Sequence, residues 1–563
     1  MSNRSALWTP VTGLALGVGI GTAAWAVRSS AEASADDYRF FDELIEVKHL
    51  ISSRFIEKPD EAKLREGAIK GMVEALDDPY TVYVPASERR EFNKNLTGEY
   101  VGIGAQVNMQ SGWLTIVSPL EDSPAWRVGL MPDDKVLEID GKSTQGLTVE
   151  ECVDLLTGTP GTSVKLLIER DGQKLTQEIT REKIKTRSVR GFHRDEANPQ
   201  AWLHAIDPAR KIAYVRVSQF TPNVSKEVKA ALDGLGAGKG ELKGLVLDLR
   251  FNPGGLLSEA EELADMFLRE GIIVSTKGRA YEDRVTRARA EGTYPEFPIV
   301  VMLNQESASA SEVLAGALVE NNRAIILGTR SYGKGSVQSL INLEEGGGAE
   351  IKLTEQGYYL PSGRSISRQD DSPTWGVDPS PGFFVPMADK EILEMLTVRR
   401  KLDLLAKVEA GTQGEQTAVD WKNTDGVLEA LKDKQLTAAV RAIQARVDTG
   451  EWKKTGEEGP ALGKISTQEL TRALEIQERL ERELVRNQKR IEALEKGAGV
   501  TASATDFWPD EVDLSGGLME IKDKDGKVIA TLRITGNNLE RWLLDADVEK
   551  PAEAAPGNNV SSK

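Results

Sequence analysis

Residues 299–338 read IVVMLNQESASASEVLAGALVENNRAIILGTRSYGKGSVQ, and their pattern decides the fold class. Residues 299–303 are an uninterrupted apolar run of strand length. They lead into a serine-rich turn at 304–312. Val313, Leu314, Ala317 and Leu318 then recur with helical spacing. Residues 324–327 form a second apolar strand, which runs into a glycine loop around Lys334. Strand, helix and strand in so short a stretch is the unit of an α/β layer, and the same alternation extends over residues 211–385.

Upstream, residues 245–249 are another apolar strand, followed by Arg250-Phe251-Asn252-Pro253-Gly254-Gly255. Pro-Gly-Gly after a strand makes a tight turn with exposed backbone N–H groups, which is what an oxyanion hole requires. A serine at the strand-to-helix junction near 309 sits where free N–H groups and the helix dipole favour developing negative charge. Plainer readings exist for each element. Serines at such turns commonly serve as N-caps, and a lysine between glycines is ordinarily a solvated loop residue. Gly333-Lys334-Gly335-Ser336 does not complete a phosphate loop, because Gly335 follows the lysine. Order and spacing together, rather than any one motif, point to chemistry in this stretch.

Residues 98–185 have a different character, with short strands punctuated by glycine. GEYVGIGAQV at 98–107 places Gly102 and Gly104 where backbone N–H groups can converge before a strand, a nest for an anion. Ser123-Pro124-Ala125 starts a short helix and Gly129 ends it. Asp140-Gly141 marks a hairpin turn. Thr148 caps a helix over 149–156 with Glu150 and Glu151 at its positive end. The segment resembles a PDZ domain along its whole length. That resemblance implies capture of a polypeptide's C-terminus, the peptide adding as a strand beside residues 103–107 and its carboxylate seated on Val101, Gly102, Ile103 and Gly104.

The serine turn, the glycine loop, the PGG turn and the PDZ-like insert together resemble the C-terminal processing peptidases, also called tail-specific proteases. The resemblance runs from about residue 36 to 385. It includes GAIKGMVEALDDPYTVYVP at 67–85 and PSGRSI…WGVDP at 361–379. It implies a multidomain α/β and α+β protein: a PDZ β-sandwich-like module inserted in a helical and β-α peptidase core of the crotonase/ClpP-like kind, with a helical C-terminal extension. It further implies that Ser309, the middle serine of SASASE, is the nucleophile and Lys334 the general base, with Gln338 positioning the lysine. The backbone N–H groups of Ala310 and of either Gly254 or Gly255 would form the oxyanion hole. The activity implied is that of a serine endopeptidase cutting proteins near their C-termini.

The implied mechanism is physically coherent. A serine hydroxyl needs a base to take its proton. There are three histidines, His49, His193 and His204, and none lies in this stretch. A lysine can serve if its pKa falls by roughly 2–3 units from 10.4, at about 3–4 kcal/mol. Two other functions remain open on the residues alone: a non-catalytic PDZ scaffold on a peptidase-derived core, and an enzyme of the enoyl-CoA hydratase kind. The intact Ser309, Lys334 and Gln338 set argues against the first, and the PDZ insert and the lack of a visible CoA-binding signature against the second.

The remaining segments frame this core. Residues 11–27 are an apolar run after Arg4, followed by small residues with A-x-A spacing at 31–35. Residues 1–35 are therefore expected to be a secretory signal or an uncleaved single-span anchor, placing the protein in the periplasm or cell envelope. Residues 36–97 read as a helical lead-in, 186–399 as the peptidase core reached through a polar connector at 186–210, and 400–500 as helical. Ser466 and Glu469 form a capping-box pattern, and a 3–4 spacing follows that suits either a short coiled coil or a helix packed on its own domain. These C-terminal helices are the expected place for self-association or adaptor binding. Residues 501–550 contain a small strand pair, and 551–563 have a disordered composition.

Composition narrows the classes. At 563 residues the protein is long enough for several domains, and a formal net charge of -17 with no basic stretch argues against nucleic acid. The one cysteine, Cys152, excludes an intramolecular disulfide and reads as a small apolar helix residue. No Cys/His cluster has metal-ligand spacing, and the implied chemistry needs neither metal nor organic cofactor.

Overall fold

Strands Ile212–Val217, Gly244–Asp248, Ile299–Leu303 and Ile325–Gly328 lie side by side and parallel. Their apolar runs are continuous because both faces are covered. Val215, Leu245, Leu247, Ile299, Val301 and Ile326 face one way, against Val228 and Leu232 of helix Val224–Gly234, Leu263 of Leu257–Asp265, and Val313, Leu314 and Leu318 of Ala310–Glu320. Ile212, Tyr214, Val246, Val300, Met302 and Leu327 face the other way, against Thr424–Leu431 and Lys434–Thr449. The alternation follows from the two-residue period of a strand.

The computed structural model describes residues 35–89, 92, 98–343, 347–369, 374–404, 419–459, 477, 518–522 and 528–533. The apolar N-terminal run, the tail from Pro551 and, apart from Gln477, the coiled-coil pattern after Ser466 lie outside them. Residues up to Gly459 form one unit; in the second, from Pro460 on, antiparallel strands Leu518–Lys522 and Val528–Arg533 are described.

The parallel-sheet core, expected to end at residue 399, continues further, because Leu436, Val440 and Ile443 cover its second face. Helical periodicity does not say which sheet a helix will cover. A buried ionic cluster fixes this layer. Arg250 bridges Asp248 and Asp433, and Arg399 reaches the same two carboxylates at 2.6 and 3.1 Å. The stretch expected as a plain connector, 186–210, contains short strands, of which Val189–Arg190 and Ala205–Asp207 join the parallel sheet at its edge. They are too short to produce a readable period.

A second, antiparallel sheet stands beside the core. Glu350–Tyr359 pairs with Ser336–Asn342, with Ile272–Gly278 and with Val82–Val84 from the lead-in. The segment before residue 98 is thereby stitched to the sheet beside the parallel core.

The PDZ sheet runs in the order Ala105–Gln110, Trp113–Pro119, Lys135–Ile139, Ser163–Arg170, Gln173–Thr180. Ser123 accepts the Trp126 N–H at 3.1 Å, as an N-cap should. Thr148 and Glu151 form a reciprocal capping box at the start of Val149–Leu156. Cys152 is fully buried among Leu114, Val136 and Ile168. Asp140 and Gly141 both have positive φ, 49° and 79°, the geometry of a two-residue hairpin turn.

Candidate active site

Three loops leave the C-terminal ends of the parallel strands and meet, the place where sheets of this kind hold their sites. They follow Gly244–Asp248, Ile299–Leu303 and Ile325–Gly328. Side chains of the first two interlock. The Asn252 carbonyl accepts the Ala308 N–H and the Ser311 hydroxyl, both at 3.0 Å. The Ser307 hydroxyl donates to the Leu249 carbonyl at 2.9 Å, and the Phe251 N–H to Asn304 Oδ1 at 2.9 Å. Two of the three serines of SASASE are thus consumed by structure.

Ser309 is not. It adopts φ 56° and ψ -117°, a strained conformation for a residue with a Cβ, at the entrance of helix Ala310–Glu320. The strain is held by the Ser309 N–H, which donates to the Glu312 carboxylate at 2.8 Å. The hydroxyl lies by Tyr358, whose phenol burial pushes up to about 12 while the serine beside it pulls the other way.

Glu312 organises the site. Its carboxylate is fully buried and takes hydrogen bonds from the Ser309 N–H, the Ser331 hydroxyl, the Gly333 N–H and the Lys334 N–H, between 2.6 and 2.9 Å. The N–H groups of Ser309 and Lys334 share one of its oxygens, so the two backbones are drawn together although 25 positions separate them. Burial pushes the Glu312 carboxyl up, and its donors oppose that.

Lys334 is half-buried. Burial, then the charge of Lys352, lower its amine to about 8, against the pull of Asp78 and Glu312. Its Nζ lies over the Tyr80 ring, 4.7 Å from the centroid. Gln338 Nε2 donates to Ser336 Oγ at 2.8 Å and Thr354 Oγ1 at 3.3 Å. Among the described residues no hydrogen bond joins Lys334 Nζ to Gln338 or to Ser309.

The PGG turn presses on the serine: a Cβ on Gly254 would lie 2.8 Å from Ser309 Cβ and 3.0 Å from the Ala310 nitrogen. The Gly254 N–H is occupied by Asn252 Oδ1 at 2.9 Å. Those of Gly255 and Ala310 have no hydrogen-bond acceptor among the described residues. Gly255 has φ 141° and its Cα faces the Phe220 carbonyl at a distance that excludes a side chain.

At the PDZ end, Val101, Gly102, Ile103 and Gly104 run from a strand into a turn. Val101 and Gly102 end strand Glu99–Gly102, which pairs antiparallel with Glu182–Lys185. Ile103 and Gly104 make the turn itself, Gly104 with φ 75°. Strand Ala105–Gln110 is paired on one side by Trp113–Pro119, and its other edge has no partner strand among the described residues.

Glu312, Tyr80, Asp78, Lys352 and Tyr358 were not anticipated. Glu312 had a signal, since S-x-x-E is a capping-box spacing. Tyr80 and Asp78 sit in a stretch legible only as a turn. Among the described residues no group of three or more His, Cys, Asp or Glu side chains is placed to hold a metal ion.

Residues 211–380 match the profile of peptidase family S41, residues 115–170 that of the PDZ domain, and residues 22–87 that of the activating protease CtpB N-terminal domain. A carboxy-terminal-processing protease of Bartonella bacilliformis is 38% identical over 353 residues, covering 61% of this chain and 77% of that protein. Carboxy-terminal processing protease CtpB of Bacillus subtilis is 34% identical over 380 residues, covering 66% of this chain and 75% of its own length. Among solved structures, a photosystem II D1 C-terminal processing protease aligns at 25% identity over 66% of this chain and 94% of its own, with a TM-score of 0.35.

Proposed function

The chain belongs to the carboxy-terminal processing proteases, serine-type peptidases of family S41 that here carry a PDZ domain, and on that premise we propose that it cuts proteins near their C-termini with a Ser309–Lys334 dyad. The observation that carries the assignment is the shared Glu312 oxygen. It ties the backbone of a strained serine to the backbone of a lysine whose amine burial lowers to about 8.

In this reading Lys334 rotates from the Tyr80 face to Ser309 and takes the hydroxyl proton as Ser309 Oγ attacks the scissile carbonyl. The oxyanion forms against the N–H groups of Ala310 and Gly255, since the Gly254 N–H is already engaged. Lys334 then hands the proton to the departing amine, the C–N bond breaks, and water resolves the ester on Ser309. Gln338 accepts a hydrogen bond from the amine once it has swung inward. Apo geometry is commonly looser than the reacting one.

The PDZ domain captures the substrate C-terminus in this reading. The peptide adds along the open edge of Ala105–Gln110, its carboxylate at the Ile103–Gly104 turn. The apolar run at 11–27 supports export to the periplasm or envelope, by cleaved signal or anchor. A reporter active only outside the cytoplasm, fused after residue 40, tests that point; an inactive fusion sinks it.

The test of the chemistry is cleavage of a tailed protein by wild type, Ser309→Ala and Lys334→Ala, with product C-termini read by mass spectrometry. Both variants should fold and fail to cut. Full activity in either would overturn its assignment. Loss of cleavage on capping the substrate carboxylate as an amide is expected if the PDZ domain reads the terminus.

A further inference from the structure

The lead-in segment before the PDZ domain supplies no reacting group to the mechanism above beyond the resting place of Lys334 on Tyr80, yet its strand Val82–Val84 is paired to Lys352, Ile351 and Glu350 of the sheet that carries Gln338. Thr81 Oγ1 accepts the Thr354 N–H at 3.1 Å and donates to Asp78 at 2.5 Å. These bonds fix the turn that delivers Tyr80 to the base. The Tyr80 ring, half-buried itself, lies 4.7 Å from Lys334 Nζ.

We propose that Tyr80 is a positioning residue for the general base: its ring is the wall that keeps water from the Lys334 amine. The proposal rests on Lys334 being that base. A segment more than two hundred residues upstream of Lys334 thereby completes the peptidase site, and the core from Ile212 onward lacks a closed base pocket without it.

The charged and titratable groups around the amine come from every element packed on it. Asp78 and Tyr80 belong to the lead-in turn, Glu312 to the helix after Ser309, Tyr332 to the lysine's own loop and Lys352 to the paired strand. Asp78 and Glu312 favour the ammonium; Lys352 and burial favour the neutral amine. A ring face also attracts a cation; the ring's share of the burial that lowers this amine is taken as the larger of its two effects, and the pH profile below decides between them. Removing the ring admits water, restores proton affinity and shrinks the neutral fraction at neutral pH.

The experiment is the pH profile of kcat/KM for a tailed peptide with wild type, Tyr80→Phe, Tyr80→Ala and Lys334→Ala. In Tyr80→Ala the rising limb should move about one pH unit alkaline, a loss of about tenfold near pH 7 that recovers above the limb, with KM little changed. Tyr80→Phe should restore the wild-type limb. An unmoved limb in Tyr80→Ala, with rate lost equally at every pH, would mean a merely structural role and overturn the proposal. So would Tyr80→Phe behaving like Tyr80→Ala. Retained cleavage in Lys334→Ala would instead overturn the base assignment, whatever the Tyr80 variants do.

Discussion

Replacing Lys334 by methionine removes the amine and keeps most of the apolar stem, and it should part stability from activity. In the folded protein the amine titrates at about 8 instead of 10.5, because burial and then Lys352 disfavour the cation. One pKa unit corresponds to about 1.4 kcal/mol, so holding this lysine costs the folded state about 3 kcal/mol, or about 2 after allowance for its partial exposure to solvent. Between pH 8 and 10.5 the unfolded state binds more protons than the folded one, so wild-type stability rises with pH through that window. Below pH 8 the cost is at its full value; above 10.5 it is gone. Lys334→Met lacks the cost altogether. It should resist urea by about 2 kcal/mol more than wild type at pH 7, and the gap should close as pH approaches 10.5. Cleavage of a tailed peptide should be abolished in the same preparation. A variant no more stable than wild type at pH 7 would refute the buried-amine account, and a variant that still cuts would refute the dyad.

Glu312→Gln would set an amide donor against N–H groups that now share a carboxylate oxygen. With about 1–3 kcal/mol for each orphaned donor, it should lose about 3 kcal/mol in denaturation and roughly 100-fold in kcat/KM, because Ser309 and Lys334 lose their common anchor. Asp433→Ala leaves the buried Arg250 and Arg399 sharing one carboxylate, Asp248, in place of two, and should cost about 3–5 kcal/mol, read as a lowered Tm with the active-site loops unaltered in sequence. Burial raises the Asp433 carboxyl, but Arg250 outweighs it and the net direction is down. The cluster's stabilisation is therefore present above the ordinary aspartate range and is lost as pH falls below that range through the lowered folded-state value, so the variant and wild type should converge only in strong acid. Lys352→Met removes the charge that presses on Lys334; with Lys334 as the proposed base, the rising limb of kcat/KM should move alkaline, with a several-fold loss of rate at pH 7.

How much of this can be read from the residues alone depends on the range of each interaction. Local patterns are legible. Ile299–Leu303 is apolar at every position because both its faces are covered, Thr148 caps its helix through a residue three positions on, and Asp140-Gly141 turns a hairpin by its own backbone preference. The candidate nucleophile and base are legible by resemblance to a family, not from the physics of their own stretch.

What stays hidden involves partners far apart in sequence. Nothing local tells that Lys434–Thr449 covers the back of the sheet, or that Asp433 meets Arg250 across 183 positions. Nothing in Asp77-Asp78-Pro79-Tyr80 marks the tyrosine as a neighbour of Lys334. Which serine of SASASE is left free, and which glycine of the PGG turn keeps an unoccupied N–H, follow from hydrogen bonds made by Asn252, Asn304 and Leu249. Short-range order was enough for the long strands, the caps and the tight turns, since these depend on neighbours a few residues away. The surroundings of Lys334 and the Glu312 bridge needed the folded protein, because desolvation and shared acceptors exist only once distant segments have closed around them.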